Sequence, residues 1–449
     1  MPTDTHDSPV GATRVVTAHT ALLRSERGRI SLYLAVLISL LAFGDPGGGL
    51  INIPIGFFLK NRLHLTAQQV ADFRLIAAVP VYLAFVFGFI RDIWNPFGMR
   101  DRGFMLLFGA TTAVLYVFFA FTPISFATLL TANLLLTTSF LFVASAQNGL
   151  TSVLGQQHAI SGQLSVVWNI FTSMPNTIAL LLGGSLSVLL ETENSVQAAR
   201  ILFLGGAAIM TMVAAYAALK PKSVFGKLQK ERTGAVEPLK DIRTLVRHWP
   251  IYPALAIWTL WSFAPGSETP LQYYMQNTLL GTDATWGQWN AIIEFSYIPS
   301  FIVFRLLCGR IALKNLLLWG TVVAIPQMVP LIFVHSATSA LVAAVAMGLM
   351  GGVATAAYLD LVIRSCPPGL QGTILMAATA LSVTVSRLGD VIGTKVYQDY
   401  GGFGACVVAI TVVYALILPL LALVPKDLVI TADGQKLAVS GGAAARSAI

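Results

Sequence analysis

From residue 32 to residue 424 the chain is a succession of apolar runs, separated by short stretches that hold most of the charge. No single motif constrains the fold as strongly as this pattern. A helix needs about 20 predominantly apolar residues to cross the hydrocarbon of a bilayer. In lipid every backbone N–H and C=O must be paired inside its own segment. Twelve runs of suitable length are readable, at about 32–59, 70–90, 104–121, 125–148, 164–190, 201–219, 250–280, 286–307, 313–333, 337–363, 373–397 and 403–424. Of 449 residues 56% are hydrophobic and only 11% charged, against about a quarter charged in a soluble domain. Lipid is the solvent this composition calls for.

The net charge of +8 does not point to nucleic acid, because the charges lie in loops between spans. With both termini placed in the cytoplasm, about 22 of the 28 Lys and Arg residues fall in cytoplasmic segments, the bias of the positive-inside rule. The first 30 residues carry Arg14, Arg24, Arg27 and Arg29 and lack the apolar core of a cleaved leader, so the first span is expected to act as an uncleaved insertion signal. Cys308, Cys366 and Cys406 have neither metal-ligand spacing nor the pattern of a disulfide framework, and no metal or cofactor is expected. GDPGGG lacks the Lys-Ser/Thr of a phosphate loop, and HExxH and GxSxG do not occur. An enzyme is not expected.

The chain repeats itself. PIGFFLKNRLHLT, starting at Pro54, returns as PLQYYMQNTLLGT at Pro270, and FMLLFGATT at Phe104 returns as NLLLWGTVV at Asn315. Position within each half is kept, so the repeat is parallel, related by an axis along the membrane normal. The expected fold is an all-α integral membrane protein of twelve transmembrane helices in two parallel six-helix repeats. Its parts are a cytoplasmic tail (1–31), an amino-terminal bundle (32–219), a basic linker (220–249), a carboxy-terminal bundle (250–424) and a cytoplasmic carboxy-terminal tail (425–449). The first register aligns Asn52 with Glu268, at equivalent heights in the first and seventh spans.

Between the second and third spans lies GFIRDIWNPFGMRDRGFMLL. Gly88 permits close helix contact, Asp92 can accept backbone N–H bonds or pair with Arg, and Arg100 and Arg102 hold the loop at headgroup level. The loop resembles the major facilitator signature. Asn52, Pro54, Phe57, Phe58 and Lys60, then Pro80, Gly88, Asp92 and Pro96-Phe97-Gly98, together with DLVIRSCPPGLQGT from Asp360, resemble the folate–biopterin transporter family within it. Two positions depart from that family: Ala84 stands where it often has Lys, and Asn148 and Gly149 where it often has an acidic residue. The resemblance implies the major facilitator fold, transport of a folate- or pterin-like solute, and a gating role for Gly88, Asp92, Arg100 and Arg102.

An ionisable residue inside a membrane span costs at least about 2.5 kcal/mol by insertion scales and is a functional candidate by default. Asp45 lies in FGDPGGG and Glu268 in FAPGSETP. Both segments combine a carboxylate with backbone breakers, and broken helices at membrane depth survive where they line a cavity or are buried in protein. Asp45, Glu268, Glu294 and Asp390 are the candidate proton carriers. Arg387, three residues before Asp390 on one helix face, is the candidate anion-binding group, with Asp390 as its expected partner. Asn52, Asn148, Trp168, Asn169, Gln272 and Tyr273 are candidate substrate contacts, since aromatic and amide groups suit a flat ring with a polar edge. Asp360 and Arg364, four apart near the inner surface, are expected to form a gate pair. The expected function is secondary active transport of a small polar or anionic organic solute, coupled to protons, by a monomer in a bacterial inner membrane with both termini cytoplasmic. A drug or metabolite exporter, or a non-transporting assembly factor of the same fold, is the alternative.

Overall fold

The computed structural model describes residues 9–48, 50–51, 55, 59, 63, 73–191, 195–225, 247–281 and 283–433. Every regular element among them is helical. The longer helices are α1 (Pro9–Gly44), α2 (Ala84–Ile93), α3 (Asp101–Ala120), α4 (Phe126–His158), α5 (Ser161–Glu191), α6 (Ser195–Ala218), α7 (Ile251–Ser262), α8 (Asp283–Cys308), α9 (Leu313–Ala324), α10 (Ala337–Ser365), α11 (Gln371–Asp399) and α12 (Gly402–Ala415). Nine stretches among the described residues are long and apolar enough to cross a membrane. The second, fifth and seventh expected spans are not among them. The second is divided at Leu83 between Val79–Tyr82 and α2, and the seventh is broken between α7 and Thr269–Tyr273. The far end of the fifth carries side chains outside the described set.

Local chemistry sets where helices start and stop. Ser125 begins α4 from an extended conformation, its hydroxyl accepting from the Thr128 N–H while Thr128 accepts in return from the Ser125 N–H. Ser336 and Ser339 build the same reciprocal cap at the start of α10. The glycines of FGDPGGG end α1: the helix stops at Gly44, and Asp45 turns back to accept from the Gly47 N–H at 2.9 Å. Tyr116 of α3, fully buried, donates to the carbonyl of Gly44 at 3.1 Å, pairing one of the acceptors that a helix end leaves open.

Two large apolar cores form among the described residues. One gathers buried side chains from Ile30 to Phe225, the other from Ile251 to Val429 with Val166 of α5 added. Large side chains such as Leu32, Val114 and Trp319 stand 66% exposed on the outside, the surface a bilayer would cover. The cores meet where α2 packs on α11, α4 on α11, and α5 on α8 and α10. Gly88 makes the first contact possible, because a Cβ there would lie 2.5 Å from the Gly372 carbonyl oxygen. α2, α4, α8 and α10 end, and α5 and α11 begin, at one end of the molecule, where the chain after α12 also returns. We call this the tail side. The stretch after residue 424, read from sequence as a tail, is docked through residue 433: Lys426–Val429 is a short helix, and Val429, Ala432 and Asp433 are buried.

Candidate functional site

The charged side chains gather in two places. Away from the tail side, on the stretch between α7 and Thr269–Tyr273, Glu268 accepts from Arg387 Nη1 of α11 and from the Ser386 hydroxyl, both at 3.2 Å. The pair is open: the Arg387 side chain is 61% exposed and that of Glu268 45%. Arg387 therefore does not pair with Asp390, as helical spacing suggested. Asp390 instead accepts from the Thr269 N–H and hydroxyl, both at 2.8 Å. The broken seventh segment leaves the Thr269 amide without a helical partner, and the neighbouring carboxylate satisfies it. Tyr273 is more than half exposed and Gln272 half-buried beside the same break. Glu294 of α8 faces Ser173 of α5, where α5 and α8 pack at the contact between the cores. Asp45 lies in the break after α1.

The remaining expected contacts spread more widely. Trp168 packs against both cores. The Asn169 amide is turned to the Ser165 carbonyl of its own helix. Asn148 is buried and donates to Met376 Sδ at 3.2 Å, on the closed tail side rather than beside Arg387. Ala84 is fully buried with Leu141, Met376 and Ala380. Asn52 falls outside the described residues. A groove of about 430 Å³ between Leu307, Trp319, Val323 and Val353 has Asn315 as its polar lining; it faces outward and touches none of these charges.

On the tail side two arginine–carboxylate clusters face each other. Asp92, at the end of α2, accepts from the amides of Gly372 and Thr373 at 3.2 and 2.7 Å and from the Thr373 hydroxyl at 2.7 Å. It therefore caps α11 across the contact between cores. Its guanidinium partner is Arg91 at 2.6 Å, which also pairs with Asp101. Arg100 and Arg102 are the bases expected to hold this loop at headgroup level. Arg102 donates to the carbonyls of Ala217 and Ala218 at the end of α6, and the Arg100 N–H donates to Asn95. The sequence reading passed over Arg91, although it sits inside the quoted loop. Gly149 leaves the space its guanidinium occupies.

In the second cluster Arg364 pairs with Asp360 at 2.9 Å and with Asp433 at 2.8 Å, and donates to the Ser161 hydroxyl at 3.0 Å. Asp433 accepts from the amides of Gly162 and Gln163 at 3.2 and 2.8 Å. Burial raises the pKa of the Asp433 carboxyl above the usual carboxylate range and Asp360 raises it further, while Arg364 and the two amides pull it back. Gln156 ties α4 to the Ile363 and Cys366 carbonyls, both at 2.8 Å. Nothing in the sequence singled out Asp433 or Gln156.

The profile described as the BT1 family matches residues 47–440. The chain is 22% identical over 369 residues to a "Folate-biopterin transporter" of Synechocystis sp. (strain ATCC 27184 / PCC 6803 / Kazusa), covering 78% of this chain and 70% of that protein. Among solved structures it resembles the human organic anion transporter MFSD10 (TETRAN), with TM-score 0.61, 16% identity, and 88% and 99% of the two chains covered. It also resembles FucP in the outward conformation, with TM-score 0.64, 14% identity and 88% and 98% coverage. The proton:xylose symporter XylE bound to 6-bromo-6-deoxy-D-glucose gives TM-score 0.63, 12% identity and 89% and 96% coverage. At these identities the structural likeness establishes the fold, that of the major facilitator superfamily.

Proposed function

The chain belongs to the BT1 family, and from that premise we propose that it moves a small anionic, folate- or pterin-like solute across a membrane by alternating access, coupled to protons. The observation that carries the proposal is the exposed Arg387–Glu268 pair, on a protein whose cores are bonded together at the opposite end. Such an arrangement suits a vestibule open to one side and closed to the other. A guanidinium binds a carboxylate through two parallel donors, so an anionic solute competes with Glu268 for Arg387. Glu268, displaced, then takes a proton, and solute and proton move together. In this scheme Asp390 is occupied as the cap of Thr269, which leaves Asp45 and Glu294 as the further carboxylates on the route. The tail side is the cytoplasmic one, from the placement of Lys and Arg, and the two cores are the moving halves.

The test is uptake by the purified, reconstituted chain of folate, pterin and uncharged pteridine solutes, with and without an inward proton gradient. Gradient-driven uptake of the anionic solutes that disappears in Glu268→Gln is the expected result. Uptake with no dependence on the gradient removes the coupling, and failure of every pteridine to move or to raise the melting temperature removes the substrate class.

A further inference from the structure

The two tail-side clusters have the same construction, but only in the first does the capping carboxylate stand at the end of a long helix. In the first, one carboxylate accepts two consecutive amides at the start of α11, at 3.2 and 2.7 Å. In the second, one carboxylate accepts two consecutive amides at the start of α5, at 3.2 and 2.8 Å. Each carboxylate is held by an arginine that also grips a second aspartate, Asp101 in one and Asp360 in the other. A glycine makes room in both: a Cβ on Gly372 would lie 2.9 Å from Asp92, and one on Gly162 would lie 3.0 Å from Asp433.

The difference is where the capping carboxylate comes from. Asp92 ends α2. The corresponding end of α8 has none, for the sequence contains no Asp or Glu between Glu294 and Asp360. The carboxylate arrives instead from beyond α12. Residues 425–433 fold back under α8 and α10, the Asp433 N–H donates to the Cys308 carbonyl at 2.9 Å, and Arg364 reaches the carbonyls of Leu428 and Thr431. Asp433 is thus bonded at once to α5 of one core and to α8 and α10 of the other.

We propose that Asp433 is a gating residue of the transporter, supplied by the carboxy-terminal segment as the counterpart of Asp92, and that this segment must release α5 before the tail side opens. The second clause rests on the alternating-access reading above. Asp433 acts by positioning α5 against α8 and α10 and touches no solute. Removing its oxygens leaves the Gly162 and Gln163 amides and Arg364 short of acceptors inside the contact, and buried unpaired donors are costly.

The experiment uses the full chain in liposomes, with Cys308, Cys366 and Cys406 changed to Ala and Ser165→Cys as reporter. Ser165 is fully buried one turn inside α5, with its hydroxyl on the Ala356 carbonyl of α10. Maleimide labelling of the reporter is compared among the parent, Asp433→Ala, a deletion of residues 426–449, and Asp427→Ala, an exposed carboxylate of the short helix that precedes Asp433 in the same segment. Asp433→Ala and the deletion are expected to speed labelling at least tenfold, and Asp427→Ala to leave it unchanged. Equal labelling in the parent and Asp433→Ala overturns the proposal, as does equal acceleration by Asp427→Ala. If the deletion fails to fold, the single variants still decide. A second reporter, Tyr273→Cys on the other side, separates this claim from the one beneath it. A reciprocal fall in its labelling accompanies alternation; faster labelling at Ser165→Cys without that fall keeps the gate and rejects alternation.

Discussion

Two carboxylates carry distinct consequences at the scale of the residue. Glu268 faces Arg387 across an exposed 3.2 Å pair, so Arg387→Lys keeps a charge but loses the planar fork. Affinity for carboxylate-bearing solutes should fall at least tenfold and affinity for neutral ones much less; equal losses for both would remove Arg387 from solute recognition. Asp433 predicts a pH dependence. The charged and titratable groups facing it are Asp360 and Arg364 on α10 and the Cys308 thiol on α8. Two carboxylates share one guanidinium, and the docked form of Asp433 holds its proton to higher pH than a solvated Asp does. The clamp's extra stability is therefore full at acid pH and lost as pH rises through that raised value. Labelling of the Ser165→Cys reporter, taken relative to the same cysteine in the unfolded chain to remove the thiol's own ionisation, should quicken on alkalinisation, and Asp433→Asn, which has no proton to lose, should flatten that ratio. That Glu268 and Arg387 are unusual was legible, since charges are rare in such apolar runs. Their partnership was not, because helical spacing offered Asp390 while the break before Thr269 created a stronger demand for that carboxylate.

At the scale of the element, breaks and caps are the parts most directly written in sequence. Pro46 with its glycines ends α1, and the Pro265–Pro270 stretch divides the seventh segment, as backbone chemistry requires. The reciprocal Ser125–Thr128 cap should be worth about 1 kcal/mol to α4; Ser125→Ala is expected to lower unfolding stability by that amount without changing which side of the protein is open. The α2–α11 contact depends on Gly88. Gly88→Leu should force the pair apart at the Gly372 carbonyl and expose Met376, now fully buried. Labelling of Met376→Cys measures this, and an unchanged rate would show that the contact tolerates a side chain.

At the scale of the whole molecule, two cores joined at one end are what the described residues display. The expected sidedness places the loop before α10 and the segment after α12 on opposite faces of the membrane. Impermeant reagent applied outside intact cells should reach His335→Cys and spare Lys426→Cys, both exposed positions; labelling of both from one face would overturn the topology. Asp92→Asn should impair transport more than folding, since the amide keeps one acceptor for the start of α11 while weakening the bond to Arg91. Normal uptake at equal abundance would remove Asp92 from gating.

Composition and the length of the apolar runs determined that this chain is helical and membrane-spanning, because unpaired backbone is not tolerated in hydrocarbon. The Gly88–Arg102 loop, with Asn52 to Lys60 and the stretch from Asp360 to Thr373, carried the family resemblance, and the proline–glycine stretches marked where helices stop. Which charges meet was decided by the tertiary structure. Asp92 finds amides 280 residues away and Asp433 finds them 270 residues away, distances at which no local periodicity operates. A carboxylate in ITADGQ reads as solvated tail. It becomes part of the clamp because the fold brings two helix amides and a shared arginine to the place where α8 carries no acid of its own.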